Sequence, residues 1–452
     1  MTARRIVCDE CSRADLLRAA AGRGLPSVEP GMPTPAGTGM SRRGFVAKSL
    51  GLALTVYGAS RLDIFDEGIA AAASTPQQPI IVSVFLQGGA DALSLLYPQG
   101  DPLYLKFRPN LAVTGGTVFT EDTRLFWHPA LAPFAQLHDE GKVTVLPAVG
   151  YDHPDQSHFT SRHFWEVGAT DARLLTGWLG RYLDAAGSPD NPLQGLSLTG
   201  SLEPSLATAK VPVAAIDGPG QYDFWSPGVW GSVEDRMLEA IGALGHVGGS
   251  DPALRTVAKV MGQSATLRKQ LLPFAGQKLT SPVPYPTGND SFTTGLQGLA
   301  AMIAAGLPLR CVALEASGEY DTHAGQVSAL DPALTTTAAS LYSFQRDLEA
   351  RGVADRVLTL VWTEFGRRAM ENGSGGTDHG AAGTGFLIGT RAAGQQVGEF
   401  PGLASGLDED GNLKATSDFR GVYAALLEQW LHFDAERVLP QARAFKRPTL
   451  VK

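Results

Sequence analysis

The chain has 452 residues, 44% hydrophobic and 18% charged, which is long enough for one large α/β domain with insertions or for two domains, and outside the disordered and fibrous classes. Its 37 Lys and Arg against 45 Asp and Glu give a net charge of −8, which excludes the basic surface of a nucleic-acid binder. An anionic substrate would therefore need a local cation, such as a metal ion, to bind.

Residues 1–73 read as a leader. Ser41-Arg-Arg-Gly-Phe45 and Lys48 fit the twin-arginine export pattern. The apolar stretch 49–59 is too short to span a bilayer, and Ala71-Ala-Ala73 offers small residues for cleavage before Ser74. The expectation is a chain exported by the twin-arginine translocase, located in the periplasm, cell envelope or medium, with no stable membrane span. Met40 directly precedes the arginine motif and is an alternative translation start. Cys8-Asp-Glu-Cys11 has half of a zinc-site spacing, without a second pair. Removal of the leader leaves only Cys311, in an apolar run, so a disulfide framework is not expected.

Beyond the leader, residues 74–452 alternate strand and helix patterns without an internal repeat, which predicts an α/β domain with a largely parallel sheet. Residues 79–86 predict a buried strand that exits into Gln87-Gly-Gly-Ala-Asp91, where the glycines permit close backbone approach and Asp91 is a candidate ligand or a helix cap. A second strand over 142–149 leads into a loop rich in histidine, Tyr151-Asp-His-Pro-Asp-Gln-Ser-His-Phe159, and then a helical pattern with His163. Ser157 is a candidate nucleophile or an N-cap, and His158 and His163 are candidate acids or bases.

Residues 187–289 lose this rhythm and read as an insertion or cap, with helices near 233–244 and 252–272. Tyr222-Asp-Phe-Trp225 within it is a candidate substrate-mouth segment. A helix over 292–305 and a strand over 309–314 precede Asp321-Thr-His323, whose acid and histidine, two apart, project to one side of an extended segment. That pair suits zinc, manganese or iron. A helix over 332–351 follows. The strand 357–362 then delivers Glu364, Asp378 and His379 follow on a Gly-rich loop, 384–389 predicts a further strand, and 418–431 a closing helix.

Phe85-Leu-Gln-Gly-Gly-Ala-Asp91, Ser157-His-Phe159, Thr176-Gly-Trp-Leu-Gly-Arg181, Asp321-Thr-His323, Glu364-Phe-Gly-Arg367 and Thr377-Asp-His-Gly380 occur in that order. With these motifs the chain resembles the exported DUF1501 family and, through it, the alkaline phosphatase and sulfatase superfamily. The resemblance implies an alkaline-phosphatase-like three-layer α/β sandwich with an inserted cap, and hydrolysis of a small-molecule or envelope-polymer ester of phosphate or sulfate. It also implies a divalent metal, zinc first, with manganese, calcium or iron as alternatives. By position, Asp91, Asp321, His323, Glu364 and His379 correspond to ligands, and Asp378 to a ligand or a residue that orients His379. The chain departs from the phosphatase pattern in its Asp-x-His spacing and in one missing histidine, and it lacks the sulfatase nucleophile motif. A non-catalytic exported metal- or ligand-binding protein that retains the fold is the alternative.

Overall fold

The computed structural model describes residues 55–57, 78–217, 231–245, 251–274, 280–288 and 290–452. The cysteine pair, Met40, the arginine motif, the cleavage site and the segment 222–225 lie outside the described residues.

The central sheet is built from β1 (Ile80–Phe85), β2 (Val143–Gly150), β3 (Gly195–Ser197), β4 (Val213–Ala215), β5 (Cys311–Glu315), β6 (Val357–Trp362), β9 (Gly383–Ile388) and β10 (Ser417–Asp418). Between β6 and β9 lie β7 (Arg367–Glu371) and β8 (Thr377–His379), which form a separate antiparallel hairpin. The sheet order is β4-β3-β5-β1-β6-β9-β2-β10, and Thr55–Tyr57 pairs antiparallel at the β4 edge. Only β9 runs against its neighbours in the eight-stranded array. The expected, largely parallel sheet is what forms.

Alternation along β1 explains the layers. Ile80, Val82 and Val84 face one apolar core and Ile81 and Phe85 the other, because successive strand residues point to opposite faces. Helices α1 (Ala132–Asp139), α6 (Ser291–Ala304) and α7 (Gln326–Ala350) pack on the first face. On the second lie α2 (His158–Val167), α3 (Trp178–Ala186) and α8 (Phe419–Ala425). The result is a three-layer α/β sandwich, with α4 (Ser232–Leu244) and α5 (Pro252–Leu271) packed against each other.

Three features differ from the sequence expectation. Residues 187–289 are not wholly an insertion, since β3 and β4 come from them and extend the sheet in parallel. These strands are three residues long, too short to show a period. Helix α7 starts at Gln326 rather than at Pro332, because Gly325 takes a left-handed conformation (φ 55°) and turns the chain into the helix a turn and a half earlier. Asp378 and His379 sit on strand β8 rather than on a loop, opposite β7, with Arg367 paired to His379.

Register decides where the site falls. Phe85 of β1 lies opposite Glu315 of β5 and Trp362 of β6, so three chain segments leave the sheet side by side at one edge. Segment 151–157 leaves β2 at the same edge, and β9 enters from it after His379. Stacked rings tie α2 to this edge: Trp165 lies 5.6 Å from Trp362 and 4.5 Å from Phe419.

Candidate metal centre

Four side chains meet above that edge. His158 opens α2, Asp321 and His323 follow β5, and His379 ends β8. His158, Asp321 and His379 bring donor atoms within 4.8 Å of one another, a grouping able to hold a metal ion. Asp321 Oδ1 lies 3.2 Å from His323 Nε2 and 3.6 Å from His379 Nε2, and these two nitrogens are 2.9 Å apart. Asp321 Oδ2 is 3.4 Å from His158 Nε2.

The partners of the other ring nitrogens assign the protons. His158 Nδ1 is 2.8 Å from the Glu364 carboxylate, His379 Nδ1 is 2.7 Å from the Gln156 carbonyl, and His323 Nδ1 is 3.4 Å from the Asp378 carboxylate. Each of these oxygens accepts, so each ring carries a hydrogen on Nδ1, and in its neutral form it presents the lone pair at Nε2. With the rings neutral, three lone pairs and a carboxylate face one another. His158 Nε2 is buried without a hydrogen-bond partner. Such an arrangement is repulsive unless a cation lies among the four groups. Ligands about 2.0–2.1 Å from a tetrahedral zinc lie about 3.3 Å apart, and the spacings of Asp321 to the three rings and of His323 to His379 run from 2.9 to 3.6 Å.

Burial opposes ionisation of Asp321, but a hydrogen bond and charge from Arg367, helped by His158 and His323, hold its carboxyl below the ordinary range. Burial, with Arg367 and the other two imidazoles, lowers the pKa of His379 against the pull of the Gln156 carbonyl, which keeps the ring neutral. The buried Phe365 ring packs on His158 and His379 and forms an apolar back wall.

Glu364 and Asp378 stand behind the histidines. Glu364 is buried and accepts from the Gly88 and Gly89 N–H groups at 3.0 Å each, besides holding His158. Asp378 is fixed by Asn372 and braces His323 rather than its neighbour His379. Both carboxylates orient imidazoles, as acids behind metal-binding histidines do.

Asp91 is placed elsewhere. It is fully buried in a two-pronged ion pair with Arg108, one contact at 2.8 Å, and also accepts from Ser94 and Gln326 at 2.7 Å each. Its oxygens are saturated, which removes it from the candidate ligands. Burial works against its ionisation, but Arg108 prevails and holds its pKa low. His163 is also separate: it lies on a buried face of α2, where burial lowers its pKa and a hydrogen bond to the Asp171 backbone works the other way. Ser157 caps α2, its Oγ 3.4 Å from Thr160 N. The sequence reading took His158, in the histidine-rich loop, as a candidate acid or base and not as a ligand; its place in that loop was the signal that could have found it.

No helix among the described residues is long and apolar enough to cross a membrane. No curated protein matches the sequence. Among solved structures, the chain is similar to the zinc complex of the C-terminal periplasmic domain of EcEptC from Escherichia coli, at 9% identity over 81% of this chain and 88% of that one, with a TM-score of 0.36. It is similar to the phosphonate monoester hydrolase SpPMH from Silicibacter pomeroyi at 11% identity over 82% and 76%, TM-score 0.37. A protein in the alkaline phosphatase superfamily from Vibrio parahaemolyticus matches at 10% over 89% and 77%, TM-score 0.30. The segment that supplies Asp321, His323, Glu364 and His379 also matches a family model: residues 235–438 are similar to DUF1501, a family of proteins of unknown function.

Proposed function

We propose that this protein is an exported, divalent-metal-dependent hydrolase of phosphate or sulfate esters. The observation that carries the reading is the convergence of the Nε2 atoms of His158, His323 and His379 on the Asp321 carboxylate, with every Nδ1 tied to an acceptor. These four residues would hold the cation, and three imidazoles with one carboxylate favour zinc over calcium. Once bound, the cation supplies Lewis acidity toward an ester oxygen and the positive charge that this acidic protein otherwise lacks.

The chain's own groups do the rest. Glu364 and Asp378 hold the rings of His158 and His323 in orientation. Arg367 keeps Asp321 ionised. Phe365 excludes water behind the rings. Ser157 is the candidate nucleophile, and it would release its long cap bond to act. Export through the twin-arginine translocase is inferred from the leader motif, and the substrate is an ester in solution or on an envelope polymer.

The test uses exported, metal-loaded protein against an aryl phosphate, an aryl phosphodiester and an aryl sulfate, with and without chelator. Hydrolysis of one of them that chelation abolishes is expected. Stoichiometric metal with no hydrolysis across the panel would favour the non-catalytic metal- or ligand-binding alternative, and absence of metal binding would overturn the hydrolase reading.

A further inference from the structure

The diglycine after β1 and Glu364-Phe-Gly-Arg367 after β6 are two halves of one joint. Gly88 and Gly89 both have positive φ, 115° and 75°, and neither has room for a side chain. A Cβ on Gly88 would come 2.4 Å from Asp321 N, and one on Gly89 would come 2.3 Å from the Phe365 ring. The diglycine therefore lies directly against the segments that carry Asp321 and Glu364. Its N–H groups are taken by the Glu364 carboxylate. Its carbonyl groups are taken by Arg367, with Nε donating to Gly89 O at 2.7 Å and Nη2 to Gly88 O.

Each of the two gripping residues reaches on to the metal centre. Glu364 accepts from His158 Nδ1 at 2.8 Å. Arg367 donates to Asp321 Oδ1 at 2.5 Å and to Tyr320 O at 3.3 Å through Nη2, and to Thr377 O at 2.9 Å through Nη1. Its guanidinium is completely buried. One planar cation thus joins the exit of β1, the exit of β5 and strand β8, and only a fork with donors pointing in several fixed directions can do so. A lysine would keep the charge and lose most of these bonds.

We infer that Arg367 is a positioning residue for the metal centre: with Glu364 it clamps opposite edges of Gly88-Gly89 and so sets His158 and Asp321 at the separation a cation requires. The role rests on the metal reading proposed above. It predicts that the fork, and not the charge alone, sustains metal affinity.

The experiment compares full-length wild type with Arg367→Lys, Arg367→Met and the control Asp347→Asn. Asp347 is a buried acid that binds Arg351, Ser281 and Tyr285 at the far end of α7. Zinc binding is measured by titration calorimetry, and in metal-free protein the histidine ring nitrogens are followed by NMR. Both Arg367 variants should lose at least tenfold in zinc affinity, and the Nδ1–H hydrogen-bond signature of His158 should be lost. Asp347→Asn should lower the melting temperature with zinc affinity within about threefold of wild type. Wild-type affinity and an unchanged His158 signature in Arg367→Lys would overturn the inference, and this milder variant carries the test should Arg367→Met fail to fold. A wild type that binds no zinc, with a His158 signature that still collapses in Arg367→Lys, would refute the metal reading and leave the clamp standing.

Discussion

Helix α2 delivers His158 to the candidate metal centre, and its other end is held by an unbalanced charge cluster whose removal has a calculable effect. Arg162 contacts Glu166 at 2.6 Å and Glu203 and Glu315 at 3.1 Å each, so one guanidinium faces three carboxylates. Glu166 and Glu203 are buried. Burial, opposed by Arg162 and reinforced by Glu203 and Glu315, pushes the Glu166 carboxyl up from 4.5 to about 7. A carboxyl whose folded pKa is raised favours folding below its unfolded pKa, and that contribution is lost as pH rises through the folded value. The rise corresponds to about 3 kcal/mol, present below about pH 4.5 and gone above about pH 7. Glu166→Gln fixes the neutral form and retains an acceptor for Arg162. Urea unfolding followed by tryptophan fluorescence at pH 5, 6, 7 and 8 should give a difference between variant and wild type that grows with pH. Near pH 8 the variant should be the more stable by about 3 kcal/mol, since the raised pKa already sets the attraction of Arg162 against burial. Stability curves that run parallel from pH 5 to pH 8 would refute the reasoning, because they would mean that Glu166 titrates alike in both states.

Two further outcomes follow from the placement of residues that the sequence left open. Asp91→Ala strands the buried Arg108 guanidinium and should cost about 3–5 kcal/mol in unfolding free energy, with zinc affinity of the folded fraction unchanged; a drop in zinc affinity without a loss of stability would return Asp91 to the metal centre. Ser157→Ala removes a helix cap at a cost of at most about 1 kcal/mol, so near-complete loss of hydrolysis in a folded variant would identify a covalent serine, and a modest loss would leave it as the cap.

The strands that build the sheet were legible wherever they are long and apolar. Ile80–Phe85 and Val357–Trp362 are buried on both faces, and that burial demands an unbroken apolar run that a single sequence displays. Gly195–Ser197 and Val213–Ala215 were not legible, since three residues carry no period and are strands only because neighbouring backbones pair with them. The chemistry divides in the same way. Sequence by itself marked Asp321, His323, Glu364, Asp378 and His379, because acids and histidines stand out beside glycines at strand exits. It could not say which of them face inward. The strand register, the diglycine joint and the pairing of β7 with β8 turn His158 into the cluster, set Glu364 and Asp378 behind the rings, and leave Asp91 to Arg108. A carboxylate can serve a cation, an imidazole or a guanidinium equally well, and which one it serves depends on the atom brought within about 3 Å, which is a property of the folded chain alone.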